Sequence, residues 1–344
     1  MNFSKQLIKW YLENKRELPW RNTTNPYLIW LSEIMLQQTR VAQGLPYYLA
    51  FTNAFPTVFD LANANEEKVL KLWQGLGYYS RARNLHLTAQ IIVHKFGGVF
   101  PNNYNDLLEL KGIGEYTAAA IASFSFQEPV PVVDGNVFRV LARVFGIESD
   151  ISLSKTKNEF SQLAFQLMPT KQPDLFNQAI MEFGALQCVP KNPNCQECIF
   201  KQSCFALQKK QIEKLPVKLK KIKIVKRYFN YIIYSDSAQN TLVKKRTERG
   251  IWHNLYEFPL IETQKNENVE AIKVNLNIKN TIVSITELTH HEIIHKLSHQ
   301  HLNIKFWRVT VNGALQDGIS VKKMVTLPFP IVLFNFIEKE WNVL

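Results

Sequence analysis

All four cysteines of this 344-residue chain stand in one short stretch, CVPKNPNCQECIFKQSC (188–204). Cys188, Cys195, Cys198 and Cys204 are spaced C-x6-C-x2-C-x5-C. Nothing else in the sequence constrains the fold as tightly, because four side chains that converge pin the loop and its flanks to one point. So few cysteines in so long a chain do not make a secreted disulfide scaffold. Clustered thiolates in a reducing compartment are metal ligands. Zinc accepts a tetrahedral set of four, and a cubane iron–sulfur cluster also takes four thiolates. Zinc ribbons usually offer two C-x-x-C pairs. Only Cys195 and Cys198 form one here, so the spacing favours iron–sulfur.

A second feature lies upstream. LKGIGEYT (110–117) precedes the alanine-rich run Ala118, Ala119, Ala120, Ile121, Ala122. Gly112 and Gly114 flank one apolar residue at what reads as a helix start. Glycine tolerates positive φ and lets another molecule approach the main chain. A helix start carries unpaired N–H groups and partial positive charge, which suits phosphate. An ordinary turn between two helices fits the same eight residues.

Charge bears on which partner such an anion site would meet. The chain has 41 basic and 29 acidic residues, a net charge of +12 and a pI near 9.4. That favours a polyanion, nucleic acid before a membrane surface. No stretch reaches the roughly 18 apolar residues of a membrane span. The N-terminal segment mixes charge throughout and lacks an apolar signal core, so the protein is expected in the cytoplasm. Phe3, Leu7, Ile8, Tyr11 and Leu12 predict an amphipathic helix there.

Residues 1–207 read as mainly helical. Apolar residues recur at three and four spacings from Tyr27 to Met35, Glu67 to Trp73, Leu85 to Val93 and Phe160 to Met168, punctuated by prolines. Residues 208–227 read as a basic linker. From Lys209 to Arg227 there are nine basic residues and one acidic, Glu213. Val217, Leu219, Ile222 and Ile224 alternate, as an early strand would. From 228 to 344 the segments YFNYIIYS, NTLVKKR, NTIVSITEL and KFWRVTV have strand composition and length, predicting an α+β domain.

The hairpin, VVDGNVFRVLAR about twenty residues beyond its glycines, and the cysteine loop together resemble the helix–hairpin–helix DNA glycosylase superfamily. Within it the best likeness is to the MutY-type adenine DNA glycosylases. Further shared marks are LPWR (18–21), WLSEIMLQQTRV (30–41), LWQGLGYYSRARNL (72–85), FNQAIMEFGAL (176–186) and HKLSHQHL (295–302). The resemblance covers nearly the whole chain and is weakest over 260–290. It implies a mainly α catalytic region, a six-helix-type domain plus an iron–sulfur domain, followed by a Nudix-like α+β domain. It also implies one 4Fe–4S cluster on the four cysteines. The implied substrate is double-stranded DNA with adenine opposite 8-oxoguanine or guanine, handled by a monomer on the chromosome.

The same resemblance gives roles to particular residues. Glu33, in the apolar stretch IWLSEIML, would protonate the adenine ring. A carboxyl desolvated there has a raised pKa, although the bare sequence also allows an exposed acid on a polar stripe. Asp134 opens DGNVFRVL and by itself reads as a helix N-cap. In the family it opposes positive charge developing on the sugar, in the manner of paired carboxylates in sugar hydrolysis. The capping amides would help keep it ionised. Tyr116 and Asn136 would orient this chemistry. Lyase relatives carry a lysine where Tyr116 stands, so a hydrolase is expected without a dedicated amine nucleophile; Lys111 and Lys155 remain as adventitious amines.

Trp20, Arg21 and Gln178 would meet the extruded base, an amide being able to pair with a ring nitrogen and exocyclic amine together. Gln38, Thr39, Leu76 and Tyr78 would wedge beside the opposite base, with the arginines of GLGYYSRAR on phosphate. Gly112 and Gly114 would grip a phosphate. Ser298 and His299 match the loop that checks for oxidised guanine, but Leu297 replaces the phenylalanine usual before that serine. RGIWHNLYEFP (249–259) fits the Nudix-like loop. No glutamate run matches the metal-binding helix of active Nudix hydrolases, so pyrophosphatase activity is not expected. Two alternatives stand beside this: a pyrimidine-lesion glycosylase/lyase of the same fold, and a non-catalytic iron–sulfur DNA-binding regulator that would not need Glu33.

Overall fold

The computed structural model describes residues 2–219, 223–289, 291 and 293–342. The chain forms two compact units. The first is 1–63 with 84–220, and the second is 64–83 with 221–344. The helical stretch 64–83 thus groups with the C-terminal residues, and the boundary at 83–84 falls inside one helix.

The first unit is helical: α1 (Phe3–Asn14), α2 (Pro26–Met35), α3 (Val41–Ala54) and α4 (Val58–Ala62) come first. The second unit then contributes α5 (Glu66–Leu72), and α6 (Ser80–Phe96) spans the boundary. The first unit resumes with α7 (Tyr104–Leu108), α8 (Glu115–Phe126), α9 (Gly135–Phe145), α10 (Ser154–Leu167), α11 (Pro173–Leu186) and α12 (Phe205–Gln208). α1 buries Phe3, Leu7, Ile8 and Tyr11 as its spacing predicts, while Leu12 faces solvent at 56 % exposure. Its buried face joins Val140, Phe160, Phe176, Phe183 and Phe200 in one core, so α1, α9, α10 and α11 are held around the cysteine loop.

α2 starts with Asn25 capping the amide of Tyr27 and with Pro26 at its first position, where a missing N–H costs nothing. Eight of its residues are buried, so it lies inside the unit rather than presenting a polar stripe. It packs against α8. α9 is capped by Asp134 and ends at Gly146, whose φ of 74° suits a left-handed helix stop.

The second unit is built on a mixed sheet in the order β4-β1-β7-β5, with β6 also on β7. β1 (Val225–Ser235) runs parallel to β7 (Gln300–Val311) from Val225 opposite Gln300 to Ser235 opposite Thr310. β2 (Lys244–Lys245) pairs with β3 (Tyr256–Glu257), and β4 (Leu260–Thr263), β5 (Ile282–Glu287) and β6 (Ile293–Lys296) are short. α13 (Val269–Val274), α14 (Val321–Met324) and α15 (Ile331–Trp341) complete it. Three of the four predicted strand segments fall on β1, β5 and β7. NTLVKKR keeps only the two residues of β2. The early strand after Pro216 does not form: β1 begins at Val225, and Ile222 lies outside the described residues. Val217 and Leu219 instead tie back to 150–151, the Val217 carbonyl accepting from the Ile151 amide at 3.0 Å. Among the described residues, no helix is long and apolar enough to cross a membrane.

Candidate active site

A cleft of about 880 Å³ opens in the first unit, and both Glu33 and Asp134 line it together with Tyr116 and Gln38. Glu33 comes from the interior of α2 and is only 7 % exposed. The phenol of Tyr116, in the first turn of α8, donates to Glu33 Oε2 at 2.6 Å. Burial lifts the Glu33 carboxyl to about 7 against the opposing pull of that hydrogen bond; the Asp134 charge lifts it further and Arg21 lowers it. Burial also keeps the Tyr116 phenol well above its ordinary pKa, so it remains a donor. An exposed acid on a polar stripe is thereby ruled out.

Asp134 lines the same cleft as the cap of α9. Its Oδ1 accepts from the Asn136 and Val137 amides, both at 2.8 Å, and its Oδ2 from Asn136 Nδ2 at 2.7 Å. These bonds pull its pKa down, as the capping argument predicts. Burial outweighs them, and the carboxyl sits above its usual range.

Asn136 is itself held. Arg139 Nη2 donates to Asn136 Oδ1 at 2.8 Å and to the Gly184 carbonyl at 2.6 Å, and its Nε to the Cys188 carbonyl at 2.7 Å. α11 comes this close because residue 184 is glycine: a Cβ there would stand 2.6 Å from Asn136 Cβ and 2.9 Å from the Asn136 carbonyl oxygen. Arg139 and Gly184 are absent from the residues the sequence suggests. Both lie within the quoted motifs, but the contacts of Arg139 with the Gly184 and Cys188 carbonyls bridge 45 and 49 residues.

At the glycine hairpin the two glycines differ. Gly112 has φ 79°, and a Cβ on it would meet Asn84 Cβ at 2.8 Å, so backbone and packing both require it. The Thr88 hydroxyl also binds the Lys111 carbonyl and anchors the turn. Gly114 has ordinary extended dihedrals as the cap of α8, and a Cβ would meet nothing within 4 Å. Its bareness serves no internal contact, which leaves the first amides of α8 approachable from outside.

Trp20 and Arg21 sit in the short 3-10 turn Pro19–Arg21, with Trp20 buried against Tyr48 at a ring separation of 5.0 Å. The Arg21 guanidinium is bound to Glu182 at 2.6 and 2.8 Å, and Arg16 shares the same carboxylate. Burial pushes the Glu182 carboxyl up, but the two arginines outweigh it and hold it at about 2. Glu182 follows Gln178 by four residues, a spacing that shares a helix face and could have suggested it. Gln178 receives a hydrogen bond from Tyr11 at 2.9 Å. Lys157 also lines the cleft, from an exposed face of α10 that nothing in the sequence marks, and Lys111 and Lys155 are not among its lining residues.

Gln38 and Thr39 belong to the first unit, Leu76 and Tyr78 to the second. Gln38 and Tyr78 both have positive φ, 58° and 46°, uncommon for residues with a Cβ and frequent at functional sites. Leu76 is buried, and Tyr78 is exposed. Both arginines of GLGYYSRAR bind carbonyls of their own unit. Arg81 Nη2 donates to the carbonyls of Leu76 and Gly77 and packs on the Trp73 ring, with burial lowering it to about 10. Arg83 donates to the His253 carbonyl at 2.7 Å. Within the second unit, Tyr78, Trp252, His295, Leu297, Ser298 and His299 line a further cavity of about 550 Å³.

The four cysteines border one small cavity, together with Phe183 and Val144. Arg143 Nη1 approaches Cys188 Sγ at 3.5 Å, and the Phe200 amide donates to Cys198 Sγ at 3.4 Å. Burial pushes the Cys195 and Cys204 thiols up, and that of Cys198 to about 11. Donors aimed at sulfur suit thiolates that carry a metal centre. Among the described residues, no group of three or more histidine, cysteine and carboxylate side chains is placed to hold a metal ion. Four cysteines around one cavity, with donors aimed at two of their sulfurs, are nonetheless a donor set of the kind a sulfur-ligated centre needs.

Residues 31–165 match the HhH-GPD superfamily of base excision DNA repair proteins, and residues 230–339 match the NUDIX domain. The chain is 38 % identical over 304 residues to the adenine DNA glycosylase of Buchnera aphidicola from Schizaphis graminum, covering 88 % of this chain and 86 % of that protein. It is 43 % identical over 222 residues to the adenine DNA glycosylase of Homo sapiens, covering 62 % of this chain and 41 % of the human protein. Among solved structures, a thermostable thymine-DNA glycosylase superposes with a TM-score of 0.56 at 29 % identity, over 60 % of this chain and 95 % of that one. A trapped endonuclease III–DNA covalent intermediate shares the fold, with a TM-score of 0.53 at 22 % identity over 60 % of this chain and 94 % of that one.

Proposed function

The chain belongs to the adenine DNA glycosylase family, and on that premise we propose that it hydrolyses the N-glycosidic bond of adenine mispaired with 8-oxoguanine or guanine in duplex DNA. Adenine leaves the stack and enters the cleft of the first unit, at an unstacking cost of a few kcal/mol that is least at a mispair. Glu33, protonated near neutral pH, gives its proton to a ring nitrogen of the base. The base then leaves as a neutral molecule and the sugar becomes cationic at C1′. The Asp134 carboxylate opposes that charge, held in place by Asn136 and the first amides of α9. Water adds to C1′ and gives up a proton, leaving an abasic site. Tyr116 keeps the Glu33 carboxyl oriented. Because residue 116 is a phenol and not an amine, no imine forms there, and the enzyme is a monofunctional hydrolase.

The Gly112–Gly114 hairpin takes a DNA phosphate on the amides of α8. Gln178, Trp20 and Arg21 meet the extruded adenine. Gln38, Thr39, Leu76 and Tyr78 hold the opposite strand, and Ser298 and His299 of the Nudix-like unit check the partner base. Cys188, Cys195, Cys198 and Cys204 hold one 4Fe–4S cluster, which when bound cross-links the loop that carries the Cys188 carbonyl.

One observation carries the proposal: a carboxyl poised at about 7 and a capped aspartate line the same cleft. The test is incubation with duplexes bearing adenine opposite 8-oxoguanine, guanine, cytosine or thymine. Strand breakage at adenine opposite 8-oxoguanine, appearing only after alkali, is the expected result. Breakage without alkali, with a borohydride-trapped protein–DNA adduct, would overturn the monofunctional assignment.

A further inference from the structure

The stretch LPFP (327–330) leads from α14 into α15 and takes no part in the chemistry above. Pro328 and Pro330 carry no N–H, so between them only Phe329 has an amide to donate. The Tyr256 amide of β3 donates to the Pro328 carbonyl at 2.8 Å and ties the stretch to that strand. Further backbone groups of 325–329 meet side chains of 71–79, within the same unit. Lys71 Nζ donates to the Val325 and Leu327 carbonyls at 2.7 and 3.2 Å. The Phe329 amide donates to Gln74 Oε1 at 3.0 Å. The Tyr79 hydroxyl donates to the Phe329 carbonyl at 3.4 Å and accepts from the Gly75 amide at 3.3 Å. A main-chain N–H only donates and a carbonyl only accepts, so the role of each partner is fixed, the orientation of the Gln74 amide included.

Gln74 and Tyr79 stand immediately before and after the loop 75–78, and both are bound to the one buried residue Phe329. The shape of the loop is held from within: Trp73 Nε1 donates to the Gly77 carbonyl at 3.0 Å, and Arg81 to those of Leu76 and Gly77. Its two ends are held by Phe329. Gly77 and Tyr78 line the cavity of about 550 Å³ together with Ser298 and His299. 8-Oxoguanine carries an oxygen on C8 and a hydrogen on N7, which in guanine is an acceptor. Telling the two apart takes a donor or acceptor held at hydrogen-bond distance, where a displacement of about half an ångström is costly. Contacts shared by both bases lose the same amount for either.

We infer that Gln74 and Tyr79 are positioning residues for discrimination between 8-oxoguanine and guanine opposite adenine, acting through Phe329 to set the loop of Leu76 and Tyr78 against that of Ser298 and His299. This rests on those two loops as the reader of the partner base. Gln74 and Tyr79 act through the loop and not on the reacting atoms.

The test is single-turnover excision of adenine opposite 8-oxoguanine and opposite guanine by the full-length holoenzyme, below saturation, with melting curves alongside. Gln74→Leu and Tyr79→Phe each remove one bond to Phe329. Each should lower the preference for 8-oxoguanine about fivefold, the factor commanded by one neutral hydrogen bond. Gln74→Glu keeps an acceptor for the Phe329 amide and should keep the preference. A purely structural role would lower the melting temperature and slow both substrates by the same factor. An unchanged ratio in Gln74→Leu and Tyr79→Phe therefore overturns the inference, as does a Gln74→Glu enzyme that behaves like Gln74→Leu. Tyr78→Ala separates the two levels. If it collapses the ratio while Gln74→Leu and Tyr79→Phe do not, the positioning role is wrong and the reader stands. If it leaves the ratio intact, the reader itself is wrong and the inference falls with it. Absence of adenine excision by the unmodified enzyme would instead refute the proposed function.

Discussion

Glu33 is the side chain whose chemistry depends most on its surroundings, and its titration is measurable as rate. Raising a carboxyl from 4.5 to about 7 corresponds to about 3.4 kcal/mol of preference for the neutral form, at 1.36 kcal/mol per unit. At pH 7 about half of the molecules then carry the proton, against about three in a thousand for an ordinary glutamate. The direction is fixed by the role: the acid form is active, so single-turnover excision falls as pH rises through about 7, approaching tenfold per unit. On the acid side the rate falls again where Asp134 takes up a proton, giving a bell. The assay is an alkali-quenched time course on a duplex with adenine opposite 8-oxoguanine, from pH 5 to 9 at constant ionic strength. Glu33→Gln should lower the rate by roughly 10²–10⁴-fold and abolish the alkaline limb. Tyr116→Phe removes a hydrogen bond that favours the carboxylate, so the alkaline limb should move to higher pH. A profile level from pH 6 to 9, or a Tyr116→Phe limb displaced to lower pH, would refute the argument.

The two hairpin glycines should separate fold from DNA binding. Gly112→Ala places a Cβ against Asn84 at positive φ and should cost at least about 1–2 kcal/mol of stability, read as a lower melting temperature. Gly114→Ala meets open space and should melt normally while weakening duplex affinity in a filter-binding titration; unchanged affinity would exclude a close phosphate there. Gly184→Ala drives a methyl into Asn136 and should cost about 1–3 kcal/mol, with slower excision because Asp134 loses its orientation. Arg139→Met leaves the Cys188 and Gly184 carbonyls without their donor, at about 1–3 kcal/mol each. Its melting temperature and single-turnover rate should both fall, and full activity would show that Asn136 needs no support.

Much of the architecture is written locally. Amphipathic spacing gives α1, the Asp134 cap gives the start of α9, and strand composition gives β1, β5 and β7. The clustering of all four cysteines in one loop is plain from the sequence. Where sequence reading fails, the deciding atoms lie far along the chain. The alternation after Pro216 suggests a strand, but a strand needs a partner and the ladder on β7 begins only at Val225. The carbonyl contacts of the arginines near Tyr78, one of them reaching His253 from Arg83, are likewise invisible to spacing.

Sequence alone thus determined the helical and strand-bearing regions, the cysteine loop and the glycine hairpin, because each depends on spacing within a few turns. It could not decide the state of Glu33. α2 is apolar on nearly every side, so periodicity does not say what faces the carboxyl. Only the packing of α8 against α2 brings the Tyr116 phenol, 83 residues away, onto it, and only the closing of the first unit excludes the water that would keep it ionised.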